Sequence, residues 1–416
     1  MLTTVCLSLL LSLPQHPNPE LARLHASDPA AREAAANALE ARGPSALPML
    51  RSARDEAPDE AHRSRLEHVI AGIELAHPGG LMLAFTRGEA RATELWLWQD
   101  GVETVLTANQ AMELEPALSP DGLHLAFART ADHHDYGAHP IFVRTLATGR
   151  ERELPRGRCP VWSPDGNLLA VIRDGGVTLH DLTNDSERRL GGELDQPSSL
   201  QWSTDGRFLA VECGKEIVVA DVAADRVHAR ISGTPPGTST LASFSFGGDR
   251  LAMVSGNGPY DWDVFLVPLA TGEPRKLTAQ SFRHGITALS PDGRMLLSTQ
   301  SKPWQPGAEG EAGAGPGEPP GGRADYAAYL LDARDGSQRL VFDGAEPLLR
   351  PSWSPEGRFV VFVGAQQRLQ LLHARTGRSR ALTTMQVGYG PVGVWFAPSV
   401  WFANGRPMPK AVGVVH

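Results

Sequence analysis

Two kinds of apolar periodicity divide the chain. From Pro19 to Ala76, apolar residues recur at spacings of three and four among Ala, Leu, Arg and Glu, the pattern of helices that bury one stripe. Beyond about residue 80 the apolar residues gather into short runs bounded by turn residues, such as Leu168-Leu169-Ala170-Val171-Ile172 and Phe359-Val360-Val361-Phe362-Val363. These runs are continuous rather than alternating, as expected of strands covered on both faces.

The helical stretch, 19–78, carries its own punctuation. Ser27-Asp28-Pro29 reads as an N-cap followed by an early helical proline, and Gly43 closes that helix. Gly43-Pro44-Ser45 leads into Ala46-Leu47-Pro48-Met49-Leu50, and Pro58-Asp59-Glu60 leads into a helix with Leu66, Val69, Ile70 and Ile73 on one face. Three or four helices are expected.

The strand region repeats itself. LSPDG (118–122), WSPDG (162–166), WSTDG (202–206), FSFGG (244–248), LSPDG (289–293) and WSPEG (353–357) recur, with closing glycines 44, 40, 42, 45 and 64 residues apart. A period of about 40–45 residues is that of a four-stranded propeller blade. Proline presets φ, aspartate bonds the local backbone and glycine takes the left-handed position, so each motif is a tight turn between two strands. A second series, Asp100-Gly101, Thr148-Gly149, Asn184-Asp185, Ala224-Asp225, Thr271-Gly272, Asp335-Gly336 and Thr376-Gly377, marks outer hairpins. Seven hairpins against six inner turns leave one inner strand to be supplied from the C-terminal end, where Val394-Trp395 matches Val161-Trp162 and Pro398 follows closely. The expected fold is therefore mainly β: a seven-bladed β-propeller over 80–398, with six blades as the alternative, preceded by the small α-helical segment and followed by a tail, 399–416. Closure of the ring removes a free sheet edge.

WSPDG at 162–166, WSPEG at 353–357 and the outer strands ending in Leu-Thr (RKLT, 275–278; RALT, 380–383) resemble the TolB-like, WD40-like family of periplasmic and cell-envelope propellers. That resemblance implies a binding scaffold. It departs from TolB in having helices where TolB has an α/β domain, and seven blades where TolB has six. Asp28-Pro29, Arg32, Ala35 and Leu39, followed by 46–50, resemble a HEAT-type helical hairpin and suggest a docking or capping element.

Blade topology puts the inner turns and outer hairpins on one face and the loops between second and third strands on the other. Long loops on a rigid scaffold tend to carry binding residues. They are 131–140, 255–263 and an insert, 301–325, whose Gly, Pro, Ala and Glu content is expected to leave it disordered. The candidate ligand or partner residues are His133, His134, Asp135 and His139 in the first loop and Tyr260, Asp261 and Trp262 in the second. Imidazoles and carboxylates in one loop are metal-ligand types, but solvated loop histidines are common, so no metal site and no cofactor is assigned. Tyr260, Asp261 and Trp262 suit a rim for a peptide or glycan. Trp162, Trp202, Trp353 and Trp395 recur at one blade position and belong to the core, and Asp121, Asp165, Asp205 and Asp292 are turn carboxylates.

Composition narrows the classes. With 39 Lys and Arg against 47 Asp and Glu, a net charge of −8 and no basic block, there is no nucleic-acid footprint. Cys6, Cys159 and Cys213 form no metal or disulfide framework, and Cys159 and Cys213 are expected as separate buried thiols. Residues 2–13 are too short an apolar run to span a bilayer and suit a signal peptide within 1–18, though no basic residue precedes them and no A-x-A site follows. A periplasmic or secreted protein is expected, with a cytoplasmic one as the alternative, and no transmembrane segment in the mature chain. Related propellers precede prolyl-oligopeptidase-type hydrolases, yet the sequence contains no G-x-S-x-G elbow, no P-loop and no H-E-x-x-H, and too little chain for such a hydrolase domain. The G-x-G-x-x-G at Gly388, Gly390 and Gly393 is interrupted by Pro391. The expectation is thus a protein that is not an enzyme: a non-catalytic scaffold that binds another envelope protein, a peptide or a glycan. The alternative is a metal-dependent propeller enzyme such as a polysaccharide lyase.

Overall fold

The computed structural model describes residues 18–79, 81–89, 92–131, 137–192, 194–232, 240–247, 249–256, 262–278, 284–301, 326–344, 349–354, 356–364, 368–383 and 399–402. The chain forms two compact units, 1–78 and 79–416.

The first unit holds α1 (Pro19–Arg23), α2 (Pro29–Ala41), α3 (Leu47–Asp55) and α4 (Glu60–Ala76). Asp28 caps α2 by accepting the Ala30 N–H, and Asp59 caps α4 by accepting the His62 N–H. Gly43, at φ +63°, adopts the left-handed conformation that ends α2 at low steric cost. Leu21, Leu24, Leu39, Leu50, Leu66 and Ile73 meet in one core, which is how the three-and-four spacing becomes packing.

The second unit is mainly β, a propeller-like arrangement of small antiparallel sheets. β1 (Leu81–Glu89), β2 (Ala92–Gln99) and β3 (Val102–Val105) pair in sequence. β4 (Met112–Leu118), β5 (His124–Thr130), β6 (His139–Thr145) and the first half of β7 (Glu151–Trp162) follow, and the second half of β7 continues with β8 (Leu168–Arg173), β9 (Gly176–Asp181) and β10 (Ser186–Arg189). These join into one hydrogen-bonded path through a single parallel contact, Thr93 with Met112. Four separate four-stranded sheets come next. They are β11 (Pro197–Trp202), β12 (Phe208–Cys213), β13 (Glu216–Asp221) and β14 (Arg226–Ser232); β15 (Thr240–Gly247), β16 (Arg250–Gly256), β17 (Trp262–Pro268) and β18 (Arg275–Lys276); β19 (His284–Leu289), β20 (Met295–Ser301), β21 (Tyr326–Asp332) and β22 (Gln338–Gly344); and β23 (Leu349–Trp353), β24 (Phe359–Gly364), β25 (Arg368–His373) and β26 (Ser379–Ala381).

The core lies between successive sheets, not inside any one of them. Leu209 and Val211 of β12 pack back onto Leu179 of β9, whereas Phe208 and Ala210 of the same strand pack forward onto Leu251 and Met253 of β16. Side chains alternate across a strand, so a strand buried on both faces must be apolar at every position, which explains the unbroken runs. Fully burying each such side chain contributes about 1.5–3 kcal/mol.

The turn motifs work as expected, with one partner the motif reading did not include. In five of them the serine hydroxyl accepts the N–H of the residue opening the next strand, as Ser119 does for His124 and Ser163 for Leu168. Asp121, Asp165, Asp205 and Asp292 accept hydrogen bonds within their own turns. The Leu-Thr ending also has a cause: Leu277 and Leu382 continue the outer ladder, and the Thr278 and Thr383 hydroxyls accept the N–H of Val264 and Leu369.

Two expectations are corrected. FSFGG is not an SPDG-type turn, because Phe246 pairs with Leu251 and Gly247 with Arg250, leaving a two-residue connection, 248–249. Val394-Trp395 and Pro398 lie outside the described residues, and the strand that pairs with β1 is β27 (Ser399–Phe402), placed by the sequence reading in the tail. Trp401 stands opposite Met82 as Trp162 stands opposite Leu169 and Trp202 opposite Leu209. The sequence Trp401-Phe402-Ala403-Asn404-Gly405 carries the turn spacing, six residues beyond the Val394-Trp395 expected to close the ring.

Candidate functional site

Of the seven residues named from the sequence, His133, His134, Asp135, Tyr260 and Asp261 lie outside the described residues. His139 is not in a loop: it opens β6, opposite Gly157, and is only 4% exposed, so it is buried where a loop ligand would be solvated. Trp262 opens β17 opposite Gly256, so only 257–261 separate the two strands. Among the described residues, no group of three or more His, Cys, Asp or Glu is disposed to hold a metal ion.

The structure instead points to the first strands of the sheets, the strands that line the axis in a propeller. All six of β4, β7, β11, β15, β19 and β23 lose register with their neighbour near the end away from the serine turn. A bulge inserts a residue, bends the strand and re-aims a side chain, and bulges concentrate beside functional sites. In β4 and β7 the bulge holds a non-glycine residue at positive φ, Glu115 at +51° and Cys159 at +53°, a strained conformation for a side chain of either kind. The two residues meet across the first strands β4 and β7. Glu115 accepts the Cys159 N–H, and its Oε1 lies 3.3 Å from Cys159 Sγ, which is also 3.5 Å from the Ser198 carbonyl.

Two carboxylates, Glu115 and Glu212, and one guanidinium, Arg158, act on this edge. Burial, reinforced by the Glu115 charge, raises the Cys159 thiol well above its ordinary range, so it is a neutral hydrogen-bond donor near pH 7. Cys213, buried and free, is pushed up to about 11, chiefly by burial. Burial also raises Glu212, whose backbone carbonyl accepts from Ser198. Arg158, the nearby cation, donates instead to the Pro197 carbonyl.

A second polar group crosses the β4–β7 sheet. Glu113 is fully buried and takes Arg129 Nε at 2.9 Å and Asn109 Nδ2 at 2.8 Å on Oε1, while Oε2 has no partner among the described residues. Arg129 lies over the rings of Phe127 and Phe142 and reaches Glu151, which also pairs with Arg144. Burial raises the Glu113 pKa despite its partners. Sequence reasoning missed Glu115 and Cys159, although the repeat register carries a signal: each precedes Leu118 or Trp162 by three residues.

No family model matches the chain. Part of it is 26% identical over 199 residues to the "Uncharacterized peptidase YuxL" of Bacillus subtilis, a match spanning 44% of this chain and 28% of that protein. The chain thus covers well under two thirds of this relative's length. Among solved structures, Kuenenia stuttgartiensis hydrazine synthase is similar over 63% of this chain and 76% of its own, with a TM-score of 0.48 and 18% identity. The expectation that the chain is not an enzyme is overturned by the first of these, since a relative of part of the chain is named a peptidase.

Proposed function

We propose that this chain is a seven-bladed propeller of the TolB-like kind that engages a polypeptide segment at the axial edge of its first strands, in support of a peptidase reaction. Seven blades follow if the long pairing path is divided at the Thr93–Met112 contact and in the middle of β7, with β27 completing the group of β1, β2 and β3. The observation that carries the binding reading is the repeated bulge, which turns Glu115 and the Cys159 backbone toward one another at that edge. Glu115 and Glu212 there favour a cationic group, and the amino terminus of a peptide is the commonest one a peptidase meets. The peptidase name of the YuxL relative supports a polypeptide over a glycan.

Fluorescence anisotropy with labelled peptides, amino termini free or acetylated, tests this. Free termini are expected to bind about tenfold tighter, and Glu115→Gln to remove most of that difference. Equal binding of both forms, unaffected by Glu115→Gln, refutes the axial reading. Mass spectrometry of the same mixtures reads the peptidase part separately, because new peptide termini appear only if the chain cleaves.

A further inference from the structure

The serine-turn hydrogen bond puts five residues in equivalent positions, each opening a second strand. Four are large and apolar, Leu168, Phe208, Met295 and Phe359, and the fifth is His124. Leu168, Phe208 and Met295 pack into the seam with the following sheet. At the corresponding seam the imidazole of His124 lies 6.2 Å from the ring of Trp162, and a cleft of about 460 Å³ opens there. Its walls include His124, Val143, Thr145, Arg150, Arg152 and Trp162. That volume lies within the roughly 300–1,000 Å³ typical of small-molecule sites, which combine apolar walls with a few polar groups.

Most charges around the cleft are already matched. Arg152 pairs with Asp185 and Glu151 with Arg129 and Arg144, whereas Asp121 accepts from neutral donors of its own turn and keeps its charge. Arg150 has no ion-pair partner among the described residues, and the side chains of His124 and Thr145 make no hydrogen bond there. The cleft therefore offers one unpaired guanidinium, Arg150, together with the turn-held Asp121 carboxylate, an imidazole and a hydroxyl beside apolar surface from Val143, Leu182 and Trp162.

We propose that this cleft binds a small carboxylate. The carboxylate lies on Arg150, whose planar fork matches it, with His124 and Thr145 as further donors and the ligand's apolar part against Val143 and Trp162. The site goes beyond the axial reading and is independent of it, because it lies at the serine-turn end of the strands while the bulges lie at the other. The same chemistry is presented by the carboxy terminus of a peptide and by a free organic acid.

Isothermal titration of the full chain with N-acetyl-phenylalanine, its amide, N-acetyl-Ala-Ala-Phe and phenylacetate tests the proposal. The acids are expected to bind with Kd of about 10 µM to 1 mM and the amide at least about tenfold more weakly. Tighter binding of the tripeptide assigns a polypeptide end, and tighter binding of phenylacetate assigns a free acid. Arg150→Gln is expected to weaken the acids about tenfold or more. His124→Leu installs the residue that Leu168 supplies in the next repeat, so it is expected to keep the melting temperature while narrowing the acid-over-amide preference that Arg150 sustains. Equal binding of acid and amide, binding unchanged in both variants, or no saturable binding of any acid overturns the proposal.

Discussion

The indole N–H groups of the repeated tryptophans tie each sheet to the one before it. Trp162 donates to the Ala117 carbonyl and Trp353 to the Ala288 carbonyl, both at 2.8 Å, whereas Trp202 reaches the Val161 carbonyl at 3.3 Å. In each case the acceptor immediately precedes the equivalent position of the preceding sheet. Replacing each tryptophan with phenylalanine removes the same atoms, so the loss of packing, about 1–2 kcal/mol, is common to all three. The lost hydrogen bond adds about 1–2 kcal/mol where it is short and buried and less where it is long. Trp162→Phe and Trp353→Phe are therefore expected to cost about 2–4 kcal/mol, and Trp202→Phe about 0.5–1 kcal/mol less than either. Equilibrium urea unfolding followed by far-ultraviolet circular dichroism measures this as a shift in midpoint at constant m. A Trp202→Phe variant as unstable as Trp162→Phe, at the same m, would refute the claim that these hydrogen bonds carry the difference.

Other perturbations address the buried charges and the connections. Arg129→Met strands the fully buried Glu113 and is expected to cost about 3–5 kcal/mol, much of it recovered by adding Glu113→Gln; a double-mutant cycle by urea unfolding reads the coupling. His180 is 5% exposed, and burial lowers its pKa, so the unfolded chain binds the proton more readily than the folded one. Stability should then fall as pH drops below the ordinary histidine value of 6.5, and melting temperatures across that range should decline less in His180→Gln. Ser301 and Tyr326 are register partners, so replacing 302–325 with Asn-Gly should close a tight hairpin and leave the melting temperature unchanged. Ending the chain at Pro398 removes the partner strand of Leu81–Ala84 and is expected to lower the melting temperature and promote association through the exposed edge, read by differential scanning calorimetry and light scattering.

Local chemistry was legible in the sequence. The seven outer hairpins stand where their turn residues put them, Gly101, Gly149, Gly272, Gly336 and Gly377 at positive φ among them, and Asp28 and Asp59 cap the helices that their spacing implied. Each of these features depends on hydrogen bonds and dihedral preferences within a few residues, which any one copy of the motif carries in full. The site was not legible in the same way. His139 looks like a loop residue until its neighbours bury it, and nothing next to Cys159 in the chain predicts a partner at Glu115, one repeat earlier. The closing strand, the bulged edge and the cleft beside His124 arise where one repeat meets another. Sequence by itself determined most of the strands and the turns that their own residues dictate; only the tertiary structure decided the closing strand and which side chains meet, because those meetings join residues far apart in the chain, about forty in the hydrogen bonds between repeats, across seams that no single repeat contains.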